Sequence, residues 1–295
     1  MATVASALRW AELRLAEAAP ELLEYCKVDS QWLLAHVVQR NSAWLRAWPE
    51  HGLTADQWQQ YQHLIERRCA GEPVAYLIGQ QGFWTFDLAV TEDTLVPRPD
   101  TELLVEQVLA LAEDGPLDVV DLGTGTGAIA LALACERPRW KVTATDVYAP
   151  TLEVARYNSE KLSLPIRCVQ SAWFDNLEHG RFHIIVSNPP YIEEQDGHLQ
   201  GLGVRFEPRR ALASGRDGLD DIRCIVAAAP QHLHAQGWLG LEHGYNQGAA
   251  VRDLMQAQGF VGIKTVRDLA SNERVTLGQW PVRQTDREDN GHADR

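Results

Sequence analysis

From Val4 to about residue 75, apolar positions recur at helical spacing. Val4, Leu8, Ala11 and Leu15 fall on one face of a helix, and Pro20 ends that run. Trp32, Leu33, His36 and Val37 mark a second helix, and Trp58, Tyr61, Leu64 and Ile65 a third. Residues 1–75 therefore read as a small helical bundle, with scaffolding and partner recognition both open as its role. Over residues 76–97 the period shortens. Gly82 precedes an aromatic, partly alternating run from Phe83 to Val90, which predicts a β-hairpin. Pro97 and Pro99 stop the strand, and Asp100 can cap the helix that begins TELLVEQVLALA.

Residues 98–282 then alternate between strand and helix. Strands are predicted at Leu117–Leu122, Lys141–Asp146, Ile166–Gln170, His183–Ser187, Trp238–Glu242, Ile263–Arg267 and Val275–Gln279. Helical stretches between most of them predict an α/β domain with a doubly wound, mostly parallel sheet. Runs such as Ile184-Ile185-Val186 suit strands covered on both faces. Only LASNE separates the last two strands, which predicts antiparallel pairing and an antiparallel last strand. The tail, residues 283–295, has no large apolar side chain and is expected to be disordered.

Charge narrows the classes of partner. Asp and Glu number 40 against 27 Lys and Arg, a formal net charge of -13. Such a surface repels a phosphate backbone, so no direct nucleic-acid binding is expected. Five scattered cysteines without a CxxC pair argue for free thiols in a reducing cytoplasm, and no metal site is expected. The start lacks a basic leader before a long apolar stretch. No run approaches the roughly 18 apolar residues that span a bilayer, so a cytoplasmic protein without membrane partners is expected.

The chemistry begins at Asp121-Leu122-Gly123-Thr124-Gly125-Thr126-Gly127, which follows the first strand of the sheet and opens a helix. Glycines at Gly123, Gly125 and Gly127 let a ligand lie against the backbone, where first-turn amides face it. About twenty residues on, the second strand ends at Asp146, whose carboxylate can accept from both hydroxyls of a ribose. Dinucleotide enzymes use the same logic. The strict G-x-G-x-x-G spacing is not met, since Ala128 holds the last position.

Ser187-Asn188-Pro189-Pro190-Tyr191 follows the strand HIIV at the same sheet edge. An amide or exocyclic amino nitrogen is a poor nucleophile because its lone pair is delocalised. The Asn188 side-chain oxygen and the Pro189 carbonyl can each accept one N–H from such a group, orienting it and favouring the positive charge that grows on methylation. Pro189 and Pro190 hold the backbone extended, and Tyr191 can lie against the flat target. Neither a strong base nor a metal is required.

Together ERRCAGEPVAYLIG with GFW, LVPRPDTE, DLGTGTGAIALALA, SNPPYI, RFEP, LEHG and NERVTLG resemble the release-factor glutamine methyltransferases (HemK/PrmC) from about Asp29 to Trp280. The resemblance implies a class I methyltransferase fold with an N-terminal helical domain joined by a β-hairpin. It implies S-adenosyl-L-methionine as cofactor, with S-adenosyl-L-homocysteine as product. It also implies class I peptide chain release factors as partners, methylated on the glutamine amide nitrogen (N5) of their Gly-Gly-Gln motif. Carried over by motif, Gly123, Thr124, Gly125, Thr126 and Gly127 would contact the methionine part of the cofactor. Asp146 would bind the ribose, Trp173 would flank the adenine, and Asn188, Pro189, Pro190 and Tyr191 would hold the glutamine amide. Arg98, Glu102, Arg205 and Glu207 would lie near the substrate entrance, a surface salt bridge being the other reading of Arg205. The family commonly has an acid before that tryptophan where this chain has Ala172, so an adenine contact is missing or is replaced by water or Ser171.

Three other enzymes fit parts of the pattern. A methyltransferase of a ribosomal-protein glutamine shares NPPY, but LVPRPDTE and RFEP favour the release-factor branch. An adenine-N6 methyltransferase also fits NPPY, against the acidic balance. A NAD-dependent dehydrogenase would leave NPPY and the helical domain unexplained. A non-catalytic module that binds release factor would not need the acceptor groups present here.

Overall fold

The computed structural model describes residues 2–18, 21, 23–112, 115–177 and 180–282; Pro20 and the tail expected to be disordered lie outside them. Two compact units divide the chain, Met1–Gln80 with Gln200–Glu207, and Gln81–Leu199 with Pro208–Arg295. Among the described residues no helix is long and apolar enough to cross a membrane.

The first unit holds α1 (Val4–Ala18), α2 (Cys26–Val38), α3 (Ser42–Ala47), α4 (Ala55–Cys69) and α5 (Val74–Ile78). The 3.6-residue period delivers Ala7, Ala11 and Leu15, Leu33 and Val37, and Tyr61 and Ile65 to one shared core. Trp32, read from sequence as part of that stripe, is instead 53% exposed, and Leu34 takes the inward position. Helix α3 was not foreseen. It starts where Asn41 accepts from the Trp44 amide, an N-cap that lets only six residues hold as a helix. Helix α5 runs across the boundary expected near residue 75. A buried ion pair, Arg68 Nε to Asp29 Oδ2 at 2.7 Å, ties α4 to α2. Gln200–Glu207 joins this unit by packing Leu202 against the helical core and donating from Arg205 to the Ala70 carbonyl.

In the second unit a hairpin, β1 (Gln80–Phe83) and β2 (Phe86–Ala89), leads to α6 (Asp100–Leu109). Asp100 does not cap α6 as expected. The helix already includes it, and its carboxylate lies 3.5 Å from Arg274. Seven strands follow in the spatial order β5-β4-β3-β6-β7-β9-β8. They are β3 (Asp118–Leu122), β4 (Lys141–Asp146), β5 (Arg167–Gln170), β6 (Phe182–Ser187), β7 (Leu233–Glu242), β8 (Val261–Arg267) and β9 (Glu273–Gln279). Strands β3 to β7 pair in parallel, while β9 inserts between β7 and β8 and runs antiparallel to both. Helices α7 (Ala128–Glu136), α8 (Ala149–Leu162), α9 (Asp220–His232) and α10 (Gly248–Gln258) complete the two outer layers. Successive residues of one strand serve opposite layers. Val119, Ile184 and Val186 join α6 and α7 in one core, and Val120, Ile185 and Leu241 join α9 and α10 in the other.

Where β3 gives way to α7, the fully buried Asp121 accepts from the Thr124 hydroxyl at 2.6 Å and from the Ala130 amide at 3.3 Å. One carboxylate thus ties the loop to the first turn of the helix, where the helix dipole favours negative charge. Its second oxygen, Oδ1, has no hydrogen-bond partner among the described residues, and burial pushes the acid from 3.8 to about 7. The folded protein therefore keeps this proton to higher pH than the unfolded chain. The resulting stability is fully present below the unfolded value and is lost as pH rises through the folded one. Against Asp121→Asn in urea unfolding at a series of pH values, the parent should lose relative stability between 3.8 and about 7 and then level off. A difference constant across that window would show that the acid is not perturbed.

Candidate active site

Leu122 at the end of β3 lies beside Thr145 in β4 and Ser187 in β6, and Ser187 lies beside Leu241 in β7. Parallel pairing thus carries the segments after four strands to one edge, where ligands of open α/β sheets bind. A cleft of about 340 Å³ opens there, bordered by Gly123, Gly125, Asp146, Trp173, Asn188 and Pro190 among others. Those six predicted residues are brought together. Thr124, Thr126, Gly127, Pro189 and Tyr191 belong to the same loops but do not border the cleft.

The glycine loop has a left-handed backbone at Gly123 (φ +69°), Gly125 (φ +57°) and Gly127 (φ +85°). The Trp173 ring lies directly over Gly123, 3.4 Å from where a side chain would begin, and the positive φ there is what calls for glycine. The Thr124 amide donates to the Thr145 carbonyl at 2.8 Å, binding the loop to β4. Asp146 stands on the opposite side of this junction. Its Oδ2 accepts from the Gly125 amide at 3.2 Å and its Oδ1 from the Tyr148 amide at 3.0 Å. Burial raises its pKa, and those amides with the Arg210 charge oppose the rise. Each carboxylate oxygen has two lone pairs, so Asp146 keeps acceptor capacity for a vicinal diol.

Trp173 sits at φ +48°, a backbone region that a bulky side chain rarely adopts and that is associated with functional sites. With Val147 it gives the cleft apolar walls suited to a flat heterocycle. Ala172 and Ser171 border the same part. The Ser171 hydroxyl, named as a substitute for the missing acid, already accepts from the Asn176 amide at 3.0 Å.

The NPPY segment is fixed on several sides. The Ser187 hydroxyl donates to the Leu122 carbonyl at 2.7 Å, locking the end of β6 to that of β3. Asn188 donates from Nδ2 to Thr101 Oγ1 at 3.0 Å. The Tyr191 amide donates to the Leu212 carbonyl, and Gln247 donates to the Tyr191 carbonyl at 2.9 Å. The Tyr191 ring packs into the α9/α10 core and its hydroxyl turns to Glu242, 3.4 Å away. Its phenol is pushed up by burial, with Glu242 adding to the rise. The sequence reading has this ring lying against the target group; in the structure its hydroxyl is turned to the buried Glu242 carboxylate.

The four substrate-entrance residues separate. Arg98 is half-buried, and its charge acts on the Tyr191 phenol. Glu102 accepts from the Trp84 amide at 2.8 Å and so holds the hairpin turn. Arg205 and the buried Glu207 belong to the segment that packs with the helical unit. Sequence reasoning assigned no role to Arg210, whose guanidinium lies 4.0 Å from the Tyr148 ring centre and donates to the Asp93 carbonyl at 3.0 Å. It also passed over Thr101 and Glu242, although PRPDTE and LEHG contain them. Both lie far from NPPY along the chain, and no local spacing marks them.

Residues 6–79 match the family described as the PrmC N-terminal domain, and residues 99–205 match the methyltransferase small domain. Over 255 residues the chain is 50% identical to the release factor glutamine methyltransferase of Pseudomonas aeruginosa, covering 86% of this chain and 92% of that one. It is 47% identical over 253 residues to the release factor glutamine methyltransferase of Escherichia coli, covering 85% and 91%. A crystal structure of a methyltransferase from Pyrococcus furiosus shares the fold at TM-score 0.53 and 18% identity, covering 75% of this chain and 98% of that one. Identity this high over nearly the full length of both relatives, with the glycine loop, Asp146 and NPPY gathered at one sheet edge, means that the chain belongs to the release factor glutamine methyltransferase family.

Proposed function

We propose that the protein transfers the methyl group of S-adenosyl-L-methionine to the side-chain amide nitrogen (N5) of the glutamine in the Gly-Gly-Gln motif of class I peptide chain release factors. The observation that carries this reading is Asn188. It borders the cleft, and its amide is held by its own nitrogen at Thr101, so its oxygen is the end offered as an acceptor. A neutral amide substrate needs that kind of partner and no strong base. The relatives named above are described as glutamine methyltransferases of release factors, and the strongly acidic charge balance supports a protein substrate over nucleic acid. Release factors act in the cytoplasm, and the protein is placed there with them.

The cleft suits the cofactor by its donor set. Asp146 has acceptor capacity for ribose hydroxyls, Trp173 and Val147 offer apolar surface to the adenine, and Gly123–Gly127 brings backbone close to the methionine portion. S-adenosyl-L-methionine supplies an electrophilic methyl carbon and leaves as S-adenosyl-L-homocysteine. The protein's own part is to hold and orient. Asn188 Oδ1 and the Pro189 carbonyl each take one N–H of the glutamine amide, turning its nitrogen toward the methyl group. Both dipoles also stabilise the positive charge that develops there. Pro190 keeps the segment extended, and Tyr191, anchored in the core, keeps it in place. The product cation releases its proton to water. Among the described residues, those that border the cleft all come from the second unit, and the helical unit matches the PrmC N-terminal domain, which supports partner recognition as its role. Of the entrance candidates, Arg98 fits best, because its charge acts at Tyr191.

Mass spectrometry of purified release factor after incubation with the protein and S-adenosyl-L-methionine should show one added methyl on the Gly-Gly-Gln glutamine. An unmodified glutamine would reject the assignment. Asp146→Ala should weaken cofactor binding by about 1.5–3 kcal/mol in calorimetry, the range for hydrogen bonds to a charged group. Unchanged affinity would remove Asp146 from the cofactor site. Asn188→Ala should lower turnover by roughly 10²–10³, by analogy with the loss of one fixed oxyanion donor, with cofactor affinity nearly unchanged. Turnover within about threefold of the parent would leave NPPY as a turn.

A further inference from the structure

Asn188 does not end its hydrogen-bond chain at Thr101. Thr101 Oγ1 accepts from Asn188 Nδ2 at 3.0 Å, and Thr101 stands beside the buried carboxylate of Glu242, the last residue of β7, whose charged form its hydroxyl favours. A hydroxyl has one hydrogen. With that hydrogen turned to the Glu242 carboxylate, only lone pairs face Asn188, and those accept from N–H but repel a carbonyl oxygen. Flipping the Asn188 amide would put Oδ1 against them. The carboxylate thereby decides, through Thr101, which atom of Asn188 is offered to a substrate. Glu242 Oε1 also accepts from the Tyr191 hydroxyl at 3.4 Å, so it meets the NPPY segment at both ends.

The position is an expensive one for a carboxylate. Glu242 is 1% exposed, its Oε2 has no hydrogen-bond partner among the described residues, and burial pushes its pKa to about 7. Thr101 and Asp100 face it from α6, Tyr191 from the segment after β6, and Arg274 from β9. Arg274 is itself paired with Asp268 at 3.1 Å and Asp100 at 3.5 Å. The sheet needs no acid here, because β7 pairs through its backbone, Glu242 with Val275. An apolar residue would fill the space at lower desolvation cost. Two residues earlier, a side chain at Gly240 would come within 3.1 Å of Leu277 and 3.3 Å of Leu104, so the glycine leaves room for α6 to pack tightly against β7.

We propose that Glu242 is a positioning residue for the methylation reaction, one buried acceptor that orients Asn188 through Thr101 and anchors Tyr191 directly. The proposal rests on the glutamine-methyltransferase reading above.

The test compares full-length Glu242→Leu, Glu242→Gln, Thr101→Val, Thr101→Ser and the double variant Glu242→Leu/Thr101→Val, all with release factor and S-adenosyl-L-methionine. Glu242→Leu and Thr101→Val should each lose roughly 10-fold to 100-fold in kcat, the scale of a misoriented reacting group. Cofactor affinity and KM for release factor should stay within about twofold, since neither residue borders the cleft. Glu242→Gln and Thr101→Ser keep the acceptor and the hydroxyl, and should recover most of the turnover. The double variant should be no worse than the weaker single, because both break one chain. Thermal stability should hold or rise in Glu242→Leu, whereas a merely structural acid would cost stability when removed. Glu242→Leu turning over within about threefold of the parent, or losses that multiply in the double variant, would overturn the proposal. A parent protein that does not methylate release factor at all would instead sink the glutamine-methyltransferase reading and this proposal with it.

Discussion

The parallel register of β3, β4, β6 and β7 is the constraint on which the rest depends. With Leu122, Thr145, Ser187 and Leu241 aligned across the sheet, the residues that follow them have no other place to go than one edge. Gly123, Asp146, Asn188 and Glu242 each lie one residue beyond that line. They come from parts of the chain separated by helices, yet their separation in space is set by the spacing of hydrogen-bonded strands, about 4.8 Å. The helices matter because they bury both faces of those strands and so prevent the register from slipping. A shift of one residue would send Val119 and Val120 to the wrong layers and carry every loop at the edge with it.

At that edge the apolar layers stop and polar groups are held in surroundings that disfavour charge. Asp121, Asp146 and Glu242 all have pKa values raised by burial. Desolvation of this kind makes each remaining hydrogen bond count for more. It also explains why so many neighbours are backbone amides and hydroxyls: they satisfy a carboxylate without adding a further charge. The amides of Gly125, Tyr148 and Ala130 and the hydroxyls of Thr124, Thr101 and Tyr191 all serve this way.

What was legible in the sequence was what is local. The glycine loop, the strand-end Asp146 and NPPY each fit within a few residues, and the alternation of strand with helix carried the sheet. Strand starts were less visible: β7 begins at Leu233, five residues before the apolar run that announced it. Periodicity placed Trp32 in the helical core because an indole counts as apolar, while packing chose Leu34. Asp100 looked like a cap by its position before a helix, but the helix begins one residue sooner and Arg274, far along the chain, takes the carboxylate. Gln200–Glu207 carries no composition shift to show that it packs with the helices rather than the sheet. The approach of Thr101 to Glu242 spans 141 positions of sequence and is made only by packing α6 against β7. Such contacts exist only once the layers have been assembled.

Asp146 and Glu242 show how the same chemical group divides into two roles at one edge. Both end or nearly end a parallel strand, and both are carboxylates in partly desolvated surroundings. Asp146 borders the cleft and is engaged by two backbone amides, which support its ionised form and leave lone pairs for a ligand. Glu242 instead accepts from the Tyr191 hydroxyl and stands beside Thr101, side chains that belong to, or touch, the amide-holding segment. The difference follows from the strands. Strand β4 ends at an open junction facing the glycine loop, whereas β7 ends under α6 and beside β9. A carboxylate at the first can meet a ligand; at the second it can only act through its neighbours. A reaction on a neutral amide uses both, one acid to hold the cofactor and one to keep the acceptor turned the right way.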